Sequence, residues 1–225
     1  MHLCSDALIL GDMRVTIDDV QQALALTEFD GLAAQMMMMP QFRPTGRPKE
    51  WAGQPRLGGV LALLYCYRDE LHVLLTRRRD DMKSHAGQVS FPGGRREDGE
   101  PFLQTALRET EEEVGVRPST LTILGQLTPI YILPSDFEVH PFVAWRGDEE
   151  RPVFQPNTTE VAELLEVPLA HLLNPTNCHA EMRNLHGFEM LVPYFEFQEH
   201  KVWGATAMML NELLERLRAV NGKQP

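Results

Sequence analysis

Glu109, Glu112 and Glu113 are the residues of this sequence best placed to do chemistry. They stand with Glu111 in RETEEEVG, residues 108–115, just ahead of Gly115, which reads as a helix C-cap. The C-terminal end of a helix carries partial negative charge, and like charges three or four residues apart repel. With Glu109 set at 0° and about 100° per residue, Glu112 falls near 300° and Glu113 near 40°. The three therefore project from one arc, while Glu111, near 200°, turns to solvent. Leu103, Leu107, Thr110 and Val114 take the adjoining arc and are expected to pack on a sheet. Acids converging beside a buried stripe need a counter-ion. Clustered carboxylate oxygens with no soft ligand nearby suit a hard cation, so Mg²⁺ or Mn²⁺ is expected. The competing reading is a solvated acidic face, and the residues around the cluster decide against it.

From Gly94 to Val116 the chain reads GRREDGEPFLQTALRETEEEVGV. Gly94, Glu100, Arg108, Glu109, Glu112, Glu113, Gly115 and Val116 resemble the Nudix box, G-x5-E-x7-R-E-U-x-E-E-x-G-U. Seven fixed positions would match by chance in about one in 10⁶ chains of this length. Thr110 departs, standing where the pattern has a bulky aliphatic side chain. Resemblance to Nudix hydrolases implies an α/β/α sandwich with a mixed sheet and a catalytic loop–helix–loop. It also implies hydrolysis of a nucleoside diphosphate linked to a second moiety. Carried over, Glu109, Glu112 and Glu113 become metal ligands, joined by the Gly93 carbonyl. Glu100 and Arg108 become an orienting pair within a structural frame that includes Gly94 and Gly115. The general base is expected at Glu160, in PNTTEVAELLEVPL, with Glu112 as the alternative.

Upstream, LLTRRRDDMKSHAGQVSFPGG, residues 74–94, resembles the extended signature of coenzyme A pyrophosphatases, roughly LLTxRSxxLRxxxGxVxFPGG. Leu74, Leu75, Thr76, Arg78, Gly87, Val89 and residues 91–94 match; Arg79, Met82 and Lys83 depart. A looser likeness runs through VHPFVA (139–144), residues 160–169 and VWGATA (202–207). Coenzyme A carries a 3′-phosphate besides its diphosphate, so its site needs cations. Arg78 and Lys83 can supply them, the first as a fork and the second as a point charge. Gln88 and Ser90 add neutral hydrogen bonds. The expected reaction cleaves coenzyme A or its thioesters to 3′,5′-ADP and 4′-phosphopantetheine or its acylated form. ADP-ribose or a dinucleotide of the NADH type is the alternative substrate, and a non-catalytic nucleotide sensor the alternative of another class. His140 and Trp203 read as a packed strand histidine and a helix-anchoring tryptophan.

These residues need a scaffold, and the patterning supplies one. The 225 residues suffice for one well-packed domain with decorations. Twenty-one basic residues against 32 acidic ones give a net charge of −11, which disfavours bulk nucleic-acid or anionic-membrane binding. The expected partner is a small nucleotide of the coenzyme A type, with a homodimer compatible with the sequence. The three cysteines, Cys4, Cys66 and Cys178, are scattered, and the opening stretch lacks a secretory pattern, so a cytoplasmic location is expected. Residues 14–36 read as one or two helices, with Thr16 as an N-cap, and 40–56 as a Pro/Gly-rich connection. Residues 1–52 are thus expected to form an N-terminal segment and 53–222 the catalytic domain. Strands are expected over 58–67 and 71–77 as a hairpin, then at 87–91, 121–128, 137–145, 161–167 and 189–197. Helices are expected from Pro101 to Val114 and, amphipathic, over 201–220. Irregular alternation of this kind indicates α/β or α+β architecture with a mixed sheet between helices.

Overall fold

A long strand pair organises the molecule. In the computed structural model, which describes residues 15–41, 53–82, 86–147, 151–185 and 187–222, β1 (Arg56–Tyr67) turns into β2 (Glu70–Arg78). Arg68 and Asp69 make the turn with φ of 52° and 63°, the mirror-image geometry that matches strand twist. On the other side β1 runs parallel to β7 (Phe137–Arg146), and this parallel pairing among otherwise antiparallel ones makes the sheet of the described residues mixed. Antiparallel β5 (Leu121–Gln126) and β6 (Ile130–Ile132) flank β7, and β8 (Val161–Pro168) flanks β2. Near the site, β3 (Val89–Ser90) pairs with β2 while β4 (Gly93–Arg95) pairs with β1. β4 and β6 were not expected from the sequence, because a Gly-Gly-Arg run and a three-residue segment after Pro129 carry too few apolar alternations.

Side-chain alternation gives the sheet two apolar faces. Leu61, Leu63, Tyr65, Leu74 and Ala144 form a core with α3 (Phe102–Val114), whose Ala106 and Val114 are fully buried. The opposite face, with Ala62, Leu64, Val73, Leu75 and Val143, packs against α5 (Gly204–Asn221). The helices on the two faces make an α/β/α sandwich. Ala207, Leu210, Leu213, Leu214 and Leu217 are all fully buried, as their spacing requires. The helix is not the amphipathic surface element its pattern suggests, however. Thr206, Asn211, Glu212 and Arg216 are buried too, because α1 (Ile17–Leu24) and α2 (Gly31–Met36) cover its other side. Thr16 caps α1 through a capping box with Asp19. Val20, Ala23 and Met38 join the same core as the sheet.

A second, three-stranded sheet of β9 (Cys178–Leu185), β10 (Phe188–Phe197) and β11 (His200–Trp203) lies beside α5, after the short α4 (Leu169–Leu173). Trp203 ends β11 and stands at the N-cap of α5, with the Arg183 guanidinium 4.7 Å from its ring centroid. His140 stacks on Phe102 at 3.6 Å and meets Glu138 Oε1 at 2.9 Å. Both therefore hold the frame together.

Candidate active site

Helix α3 brings the box carboxylates to the sheet. Its close approach depends on two glycines. A Cβ on Gly59 of β1 would lie 2.3 Å from the Phe102 carbonyl oxygen, and one on Gly94 would lie 2.4 Å from the Glu109 carboxylate. The buried face of α3 is centred on Ala106 and Glu113, so of the three acids Glu113 lies within that face, Glu109 at its edge, and Glu112 outside it in solvent. Leu103 and Leu107 are only partly buried, at its flank. Thr110 is fully buried and satisfied: its hydroxyl donates to the Ala106 carbonyl at 2.6 Å.

The acidic C-terminus of α3 has a structural answer besides a counter-ion. Gly115 takes the left-handed conformation and its N–H donates to the Glu111 carbonyl at 2.9 Å. The Gln155 and Asn157 amides donate to the Val114 and Glu113 carbonyls, each at 2.9 Å. Orphan carbonyls at the helix end are thus paired by a separate stretch of chain. That stretch leads directly to Glu160. The Asn157 side chain accepts from the Thr159 amide and hydroxyl, and the Asn157 carbonyl accepts from the Glu160 amide. Sequence reasoning had passed over Asn157; the signal was there in Pro-Asn-Thr-Thr, an Asx-turn pattern.

Electrostatics divide the acids. Glu100 is locked: both its oxygens meet Arg108, Oε1 with Nε at 2.9 Å and Oε2 with Nη2 at 3.2 Å, while Thr105 donates to Oε2 at 2.7 Å. The Arg108 hydrogen bonds, with Thr105 and the Glu97 amide behind them, hold the Glu100 carboxyl down to about 2. Arg108 also reaches Glu109 at 2.9 Å and Glu112 at 3.4 Å. Glu113 is only 5% exposed, and burial pushes its carboxyl up to about 7 against the opposing pull of the Gly93 N–H, 3.2 Å away, and of Arg78. Burial likewise raises Glu109, with Glu112 and Glu160 adding to the rise. Arg78, at the end of β2, places its guanidinium 3.7 Å from Glu113 and 3.7 Å from Glu160. Ser90 lies opposite Thr76, its Oγ 3.5 Å from the threonine hydroxyl, and the Gln88 carbonyl accepts from the Arg78 amide. Lys83 lies outside the described residues.

Residues 56–186 match the family profile of the NUDIX domain, more than half of the chain. The chain belongs to the Nudix hydrolases. It is 35% identical over 192 residues to the uncharacterized Nudix hydrolase NudL of Pectobacterium atrosepticum, covering 85% of this chain and 94% of that one. It is 33% identical over 198 residues to NudL of Yersinia enterocolitica, covering 88% and 95%. In fold it is similar to the crystal structure of the Nudix hydrolase RenU of Mycobacterium smegmatis, with a TM-score of 0.50 at 18% identity, over 77% of this chain and 90% of that one.

Nudix hydrolases generally require a divalent metal ion. The residues of this Nudix hydrolase fit one. Its donors are carboxylate oxygens, and Glu113 is buried with its nearest guanidinium, that of Arg78, 3.7 Å away and beyond hydrogen-bond length. The bare Cα of Gly94 leaves the space that the Glu109 carboxylate fills. The three box carboxylates are not drawn within 4.8 Å of one another, since Arg108 holds Glu109 and Glu112 at one side and Arg78 faces Glu113 at the other. Among the described residues, Glu163, Glu199 and His200 do come that close, but Arg77 sits 3.3 Å from Glu163 and opposes a cation there. Among the described residues no helix is long and apolar enough to cross a membrane.

Proposed function

We propose that this Nudix pyrophosphohydrolase cleaves the diphosphate of coenzyme A or acyl-coenzyme A, using Mg²⁺ or Mn²⁺. The observation that carries this reading is the convergence of Arg78 with Glu113 and Glu160, because Arg78 belongs to the upstream signature, Glu113 to the box, and Glu160 to the later loop expected to carry the base. A basic residue specific to the coenzyme A-like stretch thereby meets the hydrolytic carboxylates. Glu109, Glu112 and Glu113, with the Gly93 carbonyl, are the residues that would hold the ion. Bound there, a divalent cation screens the diphosphate and acidifies water.

The protein's own groups supply the rest. Arg78 balances negative charge on the diphosphate, and Lys83, Gln88 and Ser90 bind the remainder of the substrate. Glu160 is close to half exposed, at 46%, and is carried on a loop fixed by Asn157. It takes the proton from the attacking water as the water oxygen bonds to phosphorus and the bridging P–O bond breaks, which leaves two phosphate monoesters. Glu112 is the second candidate for that role.

The test compares coenzyme A, dephospho-coenzyme A, ADP-ribose and NADH with MgCl₂ and with MnCl₂, products being separated by chromatography. Glu112→Gln serves as control. Release of 3′,5′-ADP, lost in the variant and much slower without the 3′-phosphate, is expected. Faster cleavage of ADP-ribose would transfer the assignment to that substrate. Metal or nucleotide binding with no turnover of any of the four would make the protein a sensor.

A further inference from the structure

The two arginines of the site hold their carboxylates differently. Arg108 makes a two-point fork on Glu100 at hydrogen-bond distances. Arg78 makes none. Its Nη1 stands 3.7 Å from Glu113 Oε1 and its Nη2 3.7 Å from Glu160 Oε2, both beyond hydrogen-bond length. Nη2 donates instead to the Met82 sulfur at 3.2 Å, a weak acceptor, and Nε is buried with no partner among the described residues. A guanidinium capable of five donations therefore sits between two carboxylates while committed to neither. It supplies charge without a lock. The side chain keeps a way out, being 24% exposed and at the end of β2.

We propose that Arg78 is an exchangeable counter-ion: it neutralises Glu113 and Glu160 in the metal-free protein and passes to a substrate phosphate oxygen when a divalent cation takes Glu113. The inference rests on the reading of the box carboxylates as the metal site. It goes beyond that reading by making the two binding events compete and then cooperate. Without a phosphate present, Arg78 and the cation contend for the same carboxylate. With a diphosphate present, each cationic group has its own anion, and binding of metal and diphosphate becomes mutually favourable. Selection follows, because a ligand with no phosphate oxygen within reach of Arg78 leaves the contest unresolved.

Mn²⁺ binding to the whole chain, measured by calorimetry without nucleotide, tests this on the wild type, Arg78→Met and Arg78→Lys. Arg78→Met is expected to bind Mn²⁺ on the order of threefold to tenfold more tightly, because the competing charge is gone. Arg78→Lys retains a charge and stays near the wild type. At saturating Mn²⁺ the order reverses for α,β-methylene-ADP, which Arg78→Met binds on the order of tenfold more weakly. Arg78→Gln repeats both measurements if the methionine variant does not fold. Unchanged or weaker Mn²⁺ binding in the neutral variants overturns the proposal, and so does unchanged affinity for the analogue. Failure of the wild type to bind Mn²⁺ at all removes the metal-site reading instead.

Discussion

Glu100 and Arg108 form the most fully bonded ion pair at the site, and its pH signature is specific. The Glu100 carboxyl, ordinarily near 4.5, lies at about 2 in the folded protein. A carboxyl with a lower pKa folded than unfolded stabilises wherever both states are ionised, above about pH 4.5, and loses that contribution as the pH falls toward 2. Glu100→Gln should therefore lower the thermal midpoint at neutral pH, by on the order of 1–3 kcal/mol of stability. The gap from the wild type should close as the pH falls through that window; a gap independent of pH would deny the pair its role. Glu160 supports a separate prediction. As general base, its replacement by Gln should cost on the order of 10² to 10⁴ in kcat while Mn²⁺ still binds. A smaller loss in Glu160→Gln than in Glu112→Gln, with metal retained in both, would move the base to Glu112. The locations of Glu109, Glu112 and Glu113 on one helix arc were legible because the 3.6-residue period needs no partner to be read. The facing of Arg78 to Glu113 was not, since 35 positions of sequence separate them and only the packing of α3 on the sheet brings them together.

At the scale of elements, α3 and the glycines beneath it separate two kinds of damage. Gly59→Ala puts a methyl group against backbone, with the Phe102 carbonyl oxygen and the Ala106 amide both within 3.1 Å of the new atom. The helix must lift from the sheet, at a cost of about 1–3 kcal/mol that chemical denaturation would register. Gly94→Ala meets the end of a side chain instead, and Glu109 can rotate away. It should leave the thermal midpoint nearly unchanged and weaken Mn²⁺ binding about tenfold. Equal stability losses for the two variants would contradict this distinction. The helix itself was readable, ending where Gly115 predicted. The three short strands β4, β6 and β11 and the edge strand β9 were not. Each is too short or too polar to show a period of two, and each exists only because a longer neighbour offers it hydrogen bonds.

For the whole molecule, a buried polar knot joins the first helices to the last. Glu212, fully buried, accepts from Gln35 at 2.8 Å, from the Thr128 amide and hydroxyl at 3.0 Å each, and from Arg216 at 3.1 Å. Arg216 also reaches the Ala23 and Leu26 carbonyls, and Asn211 donates to the Ala34 carbonyl at 2.7 Å. Arg216→Met should destabilise the protein by about 3–5 kcal/mol, because it strands a buried carboxylate, and Glu212→Met/Arg216→Met should recover part of that loss. Denaturant unfolding of the wild type, Arg216→Met, Glu212→Met and the double variant checks it; additive losses would mean the two residues act independently. None of this could be read from residues 14–36 alone, whose pattern shows helices but not what they cover. The knot has a consequence for the order of assembly. Gln35 and Glu212 are 177 positions apart, so α1 and α2 leave the ribosome long before α5 exists to receive them. Val20, Ala23 and Met38 stay without their final cover through most of synthesis, and the chain closes on itself only when its last helix emerges.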